Sequence, residues 1–272
     1  MTWGQSLIMG LFSGICQLLP VSSSGHRMLL EYMMGLDSLD PLFLLMVHTA
    51  CLLALLLGCR RDFIRIHREK LQNQKDSRGR RKKARSLTMR QAQTALCIML
   101  PVAILLEKQL PALISGIDIL AIAFIINGVI LYIPTVIPQG NKDSRTYSAF
   151  DACCCGLGAA FFVVPGLSGI AGSLSFGQIR GGDKQHVFTL SMLLSIVVLS
   201  YKLLQSFVSL GAAANVSNDA MLRYLVSAAV CFIAARAAVG FLRYLSVKIG
   251  YRGFAYYCFG AGLFCMILYM TI

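Results

Sequence analysis

Six long apolar runs divide this chain, and polar residues collect between them. The runs lie near residues 42–58, 92–106, 119–137, 187–210, 221–240 and 254–272. Each run is long enough, or nearly so, to cross the hydrocarbon core of a bilayer as a helix, a distance of about 30 Å. The pattern therefore predicts an all-α integral membrane protein with six transmembrane helices.

Two other apolar stretches are interrupted at their centres by Pro, Gly and Ser. Residues 18–26 read Leu-Leu-Pro-Val-Ser-Ser-Ser-Gly-His, and residues 163–169 read Val-Val-Pro-Gly-Leu-Ser-Gly. In both stretches a Ser follows the Pro by three positions, and the two prolines lie 145 residues apart in a chain of 272. Broken apolar segments in matching halves are typical of a membrane site at the interface of two repeats. The alternative is two unrelated kinked helices.

The composition supports an integral membrane protein, and most of the net positive charge lies in one segment. Hydrophobic residues make up 57% of the chain and charged residues 14%, whereas a soluble domain carries roughly a quarter charged residues. Residues 59–90 hold 13 Lys or Arg and 3 Asp or Glu, so this segment supplies +10 of the net charge of +13. A basic loop between two spans indicates the cytoplasmic side, where it also suits anionic membrane lipids.

The basic segment does not indicate a nucleic-acid partner. It contains Arg60, Arg61, Arg80, Arg81, Lys82 and Lys83 among its cations. Its aromatic residue, Phe63, lies at the membrane edge, so the segment offers no platform on which bases could stack. We expect membrane lipids as its partners and no nucleic acid.

The ten cysteines include three in a row, Cys153, Cys154 and Cys155. Adjacent cysteines in an apolar helix do not provide the spacing of a zinc site. We expect them to be small, reduced residues used in helix packing, and the sequence predicts no metal site built from cysteine.

Charge placement also predicts how the chain crosses the membrane. With residues 59–90 inside, the spans alternate so that residues 152–180 and the stretch before residue 42 must each begin and end on one side. We therefore expect two re-entrant helical hairpins, one from each face of the membrane. Residues 1–137 would form repeat one, a hairpin with three spans, and residues 152–272 an inverted repeat two.

The tips of such hairpins present helix N-termini near the middle of the membrane. Free backbone N–H groups and the positive end of the helix dipole favour an anion there, and serine hydroxyls add donors. The predicted ligand is an anionic group attached to an apolar chain, and a lipid phosphate or diphosphate has this chemistry.

Both broken segments resemble the signatures of one family. Residues 13–26, Ser-Gly-Ile-Cys-Gln-Leu-Leu-Pro-Val-Ser-Ser-Ser-Gly-His, resemble the Glu-Gly-x-x-Glu-(Phe)-Leu-Pro-Val-Ser-Ser-(Ser/Thr)-Gly-His of the bacterial undecaprenyl-diphosphate phosphatases of the bacitracin-resistance type. Residues 165–173, Pro-Gly-Leu-Ser-Gly-Ile-Ala-Gly-Ser, resemble that family's Pro-Gly-x-Ser-Arg-Ser-(Gly)-x-Thr. The resemblance extends over nearly the whole chain.

The resemblance implies a hydrolase of the bacterial plasma membrane that recycles the lipid carrier of peptidoglycan synthesis. Such an enzyme releases phosphate from undecaprenyl diphosphate at an outward-facing site, with a divalent cation (Mg or Ca), and a homodimer is possible. It also implies roles for particular residues. The catalytic candidates are His26, Ser23 and Ser168; the phosphate-binding candidates are Ser22, Ser24, Gly25, Gly166 and Ser173; the cavity-lining candidates are Ser13, Gln17 and His48.

Three positions depart from the family pattern in ways that affect catalysis. Ser13 and Gln17 stand where the family has its two Glu residues, and Gly169 stands where it has Arg. Gln cannot ionise and Gly has no side chain with which to clamp a phosphate, while phosphate transfer gains from cations and from groups that move protons. The predicted function is therefore binding of the polyprenyl (di)phosphate carrier with weak hydrolysis. A phosphatase of altered chemistry, a non-hydrolytic transporter (flippase) and a lipid-binding pseudoenzyme remain open.

Several residues have a structural alternative to a functional role. Ser23 and Ser168 could cap the helices that follow the breaks, and His26 could make a structural hydrogen bond to the facing hairpin. Glu107 is expected to be solvated at the outer end of its span. Arg180 is expected to mark the inner face, although it could reach a phosphate from there.

The charge pattern yields a test of topology. Cysteines placed at residues 75 and 215 of a cysteine-free variant should be labelled from opposite faces, the first from inside and the second from outside, because Lys and Arg concentrate in cytoplasmic loops. The measurement is labelling of intact cells by an impermeant thiol reagent, with permeabilised cells as the control. Labelling of residue 75 in intact cells would contradict the predicted orientation.

Overall fold

The structure is a computed structural model that describes residues 1–75, 87–109, 116–210 and 217–271. These residues form eleven α-helices. They also contain an isolated β-bridge between Lys142 and Gly182. The helices are α1 (Trp3–Leu18), α2 (Ser23–Met33), α3 (Pro41–Gly58), α4 (Arg60–Lys75), α5 (Leu87–Gln109), α6 (Ile117–Val136), α7 (Ala149–Ala159), α8 (Gly169–Ile179), α9 (Lys184–Leu210), α10 (Asn218–Lys248) and α11 (Arg252–Met270). A 3₁₀ turn, Ala160–Val163, continues α7.

Six of these helices are long and apolar enough to cross a bilayer: α3, α5, α6, α9, α10 and α11. They coincide with the six apolar runs, so the prediction of an all-α, multi-pass membrane protein is confirmed. Large apolar side chains cover their outer faces, for example Leu105, Val208 and Ile233, which are 59%, 70% and 69% exposed. Lipid can cover such surfaces, whereas water would make them costly.

The basic segment begins as a helix rather than as a loop. α4 starts directly after α3, and Arg243 of α10 holds this junction by pairing with Asp62 and by donating to the carbonyl oxygen of Gly58 at 3.3 Å. Such a link fixes the direction in which the chain leaves the span. Residues 76–86, with much of the predicted positive charge, lie outside the described residues.

Each broken segment folds into two short helices that pack against each other. α1 and α2 flank the first break, and α7 and α8 flank the second. Leu19 and Val164, the residues before the two prolines, adopt extended backbone, because proline disfavours a helical conformation in the preceding residue. Both pairs are therefore helical hairpins, while their entry and exit through one membrane face remains a prediction.

The two halves of the chain interlock. α1 of the first half packs against α10 of the second, and α7 of the second half packs against α5 of the first. α3 packs against α9, and α6 against α11. Exchange of the halves converts the first two of these contacts into each other and leaves the other two unchanged. This arrangement is the one expected of inverted repeats at 1–137 and 152–272, which remain a prediction.

Small residues allow these interlocked helices to approach closely. A Cβ atom added to Gly14 of α1 would lie 2.4 Å from the carbonyl oxygen of Cys231 in α10, and one added to Gly156 of α7 would lie 2.1 Å from that of Ala95 in α5. Membrane helices associate through such packing because lipid provides little hydrophobic drive between them. Both crossings therefore depend on the absence of a side chain.

Polar contacts of α7 give Arg180 and Cys155 structural roles. Asp151 is fully buried and accepts from Lys142 Nζ at 2.9 Å and from Arg180 Nε at 2.8 Å. Arg180 is thus engaged in an ion pair that ties α8 to α7. Cys155 is buried, and its thiol donates to the carbonyl oxygen of Ser173 at 3.3 Å, which is a packing role.

The α1–α10 crossing yields a prediction about stability. Gly14→Ala should lower the free energy of unfolding by about 1–3 kcal/mol, because the new methyl group must displace backbone. Gly260→Ala is the matched control, since a Cβ atom there meets nothing within 4 Å and the change raises helix propensity by up to about 1 kcal/mol. Thermal unfolding of both variants in detergent is the measurement. Equal effects at the two positions would show that the crossing does not need glycine.

Candidate functional site

The tips of the two hairpins touch. A Cβ atom added to Gly25, in the first turn of α2, would lie 2.8 Å from the backbone nitrogen of Gly166 in the second break. Gly166 has a φ of +89°, a conformation that glycine adopts readily and other residues rarely do. These two glycines, predicted as phosphate-binding residues, thus form the contact that brings the halves of the site together.

One buried amide holds both breaks in place. Asn127 of α6 is 0% exposed; its Nδ2 donates to the carbonyl oxygen of Pro20 at 3.0 Å, and its Oδ1 accepts from the backbone N–H of Ser168 at 2.9 Å. Broken helices leave backbone groups without intrahelical partners, and membrane interiors offer no water to satisfy them. Sequence reasoning missed Asn127, although an amide in the middle of an apolar run was a signal that could have found it.

The helices that leave the two tips are capped by serines. The hydroxyl oxygen of Ser22 accepts from the N–H of Gly25, and that of Ser168 accepts from the N–H of Ala171, both at 3.3 Å. The structural counterpart of Ser168 is therefore Ser22, and not Ser23 as equal spacing from the prolines predicts. Because Ser22 caps α2, the hydroxyl of Ser23 is free to make contacts elsewhere.

Two cavities meet beside these tips. The smaller has a volume of about 30 Å³ and the larger about 790 Å³. The first is large enough for water and the second for a ligand head group. The residues that line both cavities, here called the neck, are Gln17, Ser23, Ser24, Phe162 and Lys202.

Most of the predicted site residues lie around these cavities. Ser22, Ser168 and Ser173 line the small cavity, and Ser13 and His48 line the large one. Gln17, Ser23 and Ser24 belong to the neck. His48 is oriented by a hydrogen bond of 3.0 Å between its Nδ1 and the hydroxyl of Ser206.

His26 lines neither cavity, and the same holds for the two glycines at the tips, Gly25 and Gly166. It is 4% exposed; its Nδ1 lies 2.8 Å from the carbonyl oxygen of Ser22, and its Nε2 lies 2.6 Å from the hydroxyl of Tyr257. Its ring also stacks on that of Tyr257. These partners lie in the same hairpin and in α11 rather than in the facing hairpin, and the catalytic role of His26 remains a prediction.

A lysine that sequence reasoning missed projects into the neck. Lys202 of α9 donates from Nζ to the hydroxyl of Ser23 at 3.1 Å and to Oε1 of Gln17 at 3.4 Å. Both acceptors are neutral. A lysine within the apolar run 187–210 was the signal that could have found it, because charged residues inside spans are rare and functional.

Two further charged residues line the large cavity. Arg27 of α2 is half-buried, with Nε 3.7 Å from Oε1 of Glu31. Glu107 of α5, which was expected to be solvated, accepts from Nε2 of Gln205 at 2.7 Å and from the hydroxyl of Tyr201. The cavity thus contains two cations and one carboxylate.

The family resemblance implies a divalent cation, and the donors present here do not fit one. Mg²⁺ and Ca²⁺ prefer carboxylate oxygens, and the described residues contain no group of three or more His, Cys, Asp or Glu side chains that could hold a metal. The neck offers Gln17, and Ser13 lies nearby in the large cavity.

The position of the family's Arg is sterically closed. Gly169 begins α8, and a Cβ atom added there would lie 2.4 Å from the carbonyl oxygen of Ala159. Any larger residue would have to displace this backbone. The positive charge of the site comes from other helices instead.

Comparison with known proteins places this architecture in a family context. A family model described as bacitracin resistance protein BacA matches residues 6–264. The chain is 27% identical over 261 residues to undecaprenyl-diphosphatase 2 of Bacillus thuringiensis (strain Al Hakam), which covers 96% of each chain. It is 28% identical over 256 residues to undecaprenyl-diphosphatase 1 of Shouchella clausii (94% and 92% covered) and 27% identical over 266 residues to the undecaprenyl-diphosphatase of Methanobrevibacter smithii (95% of each).

The bridging amide yields a prediction. Asn127→Ala should lower the free energy of unfolding by about 2–4 kcal/mol, since each buried backbone group left unpaired costs about 1–3 kcal/mol. Ile126→Ala is the matched control, because Ile126 is the adjacent residue and is 46% exposed. Chemical denaturation in detergent is the measurement. Equal destabilisation by both changes would show that the amide does not hold the breaks.

Proposed function

This chain belongs to the BacA family of undecaprenyl-diphosphatase-like membrane proteins, and we propose that its large cavity binds the phosphate end of a polyprenyl phosphate or diphosphate. The observation that carries the proposal is the contact of the two hairpin tips, which brings Ser23 and Ser168 to adjoining cavities although they lie in opposite halves of the chain. Hydroxyl donors and helix N-termini together favour an anion.

The walls of the large cavity suit the rest of such a lipid. Apolar side chains line much of it, among them Leu39, Leu44, Val47, Leu204 and Val208. Leu204 and Val208 are also exposed on the outer face of the protein. An isoprenoid chain can therefore follow these walls towards the surrounding lipid while its head group stays at the neck.

We propose that hydrolysis is slow. The serines and helix N-termini hold an anion in the ground state, but Ser13 and Gln17 cannot transfer a proton as carboxylates do. Both nitrogens of His26 are engaged away from the cavities. Interactions that do not strengthen in the transition state give affinity without rate.

Non-hydrolytic movement of the polyprenyl phosphate across the membrane is the second candidate function. The interlocked packing of the two halves supports it, because transporters of this architecture work by motion of one repeat against the other around a central site.

Location in a bacterial plasma membrane and assembly as a homodimer remain predictions.

The missing groups yield a prediction about activity. Phosphate release from undecaprenyl diphosphate should be at least about 100-fold slower than in a family member with both Glu residues and the Arg, by analogy with the loss of one oxyanion donor. The measurement is phosphate release by purified protein, with and without Mg²⁺. A turnover equal to that of the complete-motif protein would contradict slow hydrolysis.

Restoration variants serve as the control. Ser13→Glu combined with Gln17→Glu should raise phosphate release, because both positions line the large cavity and such groups act as a unit. Addition of Gly169→Arg should lower the yield of folded protein, since Gly169 packs against the backbone of Ala159. No gain from the double change would show that the cavity does not support the family's chemistry.

A further inference from the structure

Lys202 is a cation without an anionic partner at the centre of the candidate site. It is half-buried in the neck, it donates to the neutral oxygens of Ser23 and Gln17, and within the part of the chain that the structure describes it pairs with no carboxylate. By contrast, Arg180 and Arg243 have carboxylate partners.

An ammonium group in this position is expensive unless something neutralises it. A charge removed from water within a membrane protein is strongly destabilising when it is unpaired. Hydrogen bonds to one hydroxyl and one amide oxygen offset only part of this cost. A site that retains such a charge is suited to an anionic ligand, which would contribute the missing partner.

We propose that Lys202 is the phosphate-binding residue of this site and that, with Arg27, it selects a lipid with one phosphate group over a lipid diphosphate. The proposal rests on the proposed function and deepens it by naming the ligand class. Lys202 on α9 would supply the positive charge that the closed position at Gly169 cannot.

The net charge of the large cavity favours a lipid monophosphate over the more negatively charged lipid diphosphate. Arg27, Lys202 and Glu107 are its charged lining residues, and His48 is the titratable neighbour. The two cations and one carboxylate of the lining sum to +1, and Glu31, 3.7 Å from Arg27 and outside the lining, lowers the local positive charge further. A single phosphate ester carries about −1.5 to −2 at neutral pH, and a diphosphate carries more. Since the described residues contain no cluster of three or more His, Cys, Asp or Glu side chains for a metal ion, the additional negative charge would have no counterpart among them.

The shape of the site agrees with one phosphate. A phosphate that contacts Lys202 lies at the neck, and the space behind the neck is about 30 Å³, which suits water rather than a second phosphate. A second phosphate would have to extend into the large cavity, whose lining includes the carboxylate of Glu107. Repulsion there would weaken binding of the diphosphate.

Neighbouring donors would complete the binding of a single phosphate. The hydroxyl of Ser23 already lies 3.1 Å from Lys202 Nζ, and Ser24 lines the neck beside it. The amide of Gln17 accepts from the lysine through its oxygen, which leaves its NH₂ group available as a donor. Gln17 thus contributes a donor where a Glu would repel the ligand.

The test is binding of farnesyl phosphate and farnesyl diphosphate to the purified full-length protein in detergent, by isothermal titration calorimetry. We expect the wild-type protein to bind the monophosphate at least about 10-fold more tightly. Lys202→Met should weaken monophosphate binding at least about 10-fold, since it removes a charged hydrogen bond to the ligand, and Lys202→Arg should retain most of the affinity. Lys184→Met, at the other end of α9, is the control and should bind as the wild type does.

Thermal unfolding separates ligand binding from a structural role. Without ligand, Lys202→Met should be as stable as the wild type or more stable, because it removes an unpaired charge. It should also lose the stabilisation that farnesyl phosphate gives the wild type. A lysine with a purely structural role would instead make the ligand-free variant less stable, and that result would overturn the proposal.

The remaining outcomes are distinguishable. If wild-type protein binds neither probe, the proposed function fails as well. If it binds both and Lys202→Met changes neither affinity, or if diphosphate binds as tightly as monophosphate, only the present inference fails. Titrations in nanodiscs with and without phosphatidylglycerol separate the sources of a single phosphate. Competition by phosphatidylglycerol would support the one-phosphate site and overturn its assignment to an isoprenyl lipid.

Discussion

The hydrogen bonds of Asn127 are the constraint on which the rest of this structure depends. A membrane protein that interrupts its helices must satisfy the exposed backbone groups internally, since lipid offers no hydrogen bonds. One amide does this for both interruptions, because it donates to the carbonyl of Pro20 and accepts from the N–H of Ser168. The two tips are thereby fixed relative to each other, with Ser22, Ser23 and Ser168 at the cavities.

Close packing around the tips supports the same arrangement. Gly25 and Gly166 meet at the site, while Gly14 and Gly156 allow the outer helices of each hairpin to lie against the opposite half. These positions exclude larger side chains for geometric reasons, and they explain why the halves interlock rather than sit side by side. This packing leaves the polar neck between the small cavity and the large cavity, whose walls are largely apolar.

The chemistry of the cavity differs from the pattern that the family resemblance implies. The expected position of Arg is closed at Gly169, and neutral side chains replace the carboxylates at residues 13 and 17. Positive charge enters instead from α9 and α2, through Lys202 and Arg27. The scaffold of the BacA family therefore surrounds a cavity in which the family's Arg and carboxylates are replaced, and this difference is the basis of our proposal that the site holds a phosphate better than it transfers one.

The sequence by itself determined the six spans, the all-helical class and the two broken segments, because length, hydropathy and proline act locally. It also indicated Ser22, Ser23, Ser24 and Ser168 at the cavities, since each lies within one of the two contiguous tip motifs. Only the tertiary structure decided that Asn127 bridges the breaks, that His26 is directed towards Tyr257 and that Lys202 reaches Ser23. These contacts join residues 107, 231 and 179 positions apart, and no local pattern specifies which distant side chains will meet. The basic segment 59–90 shows the same limit. Its positive charge is evident from the sequence, whereas the contact of Arg243 with the carbonyl oxygen of Gly58, next to the start of α4, is visible only in the structure.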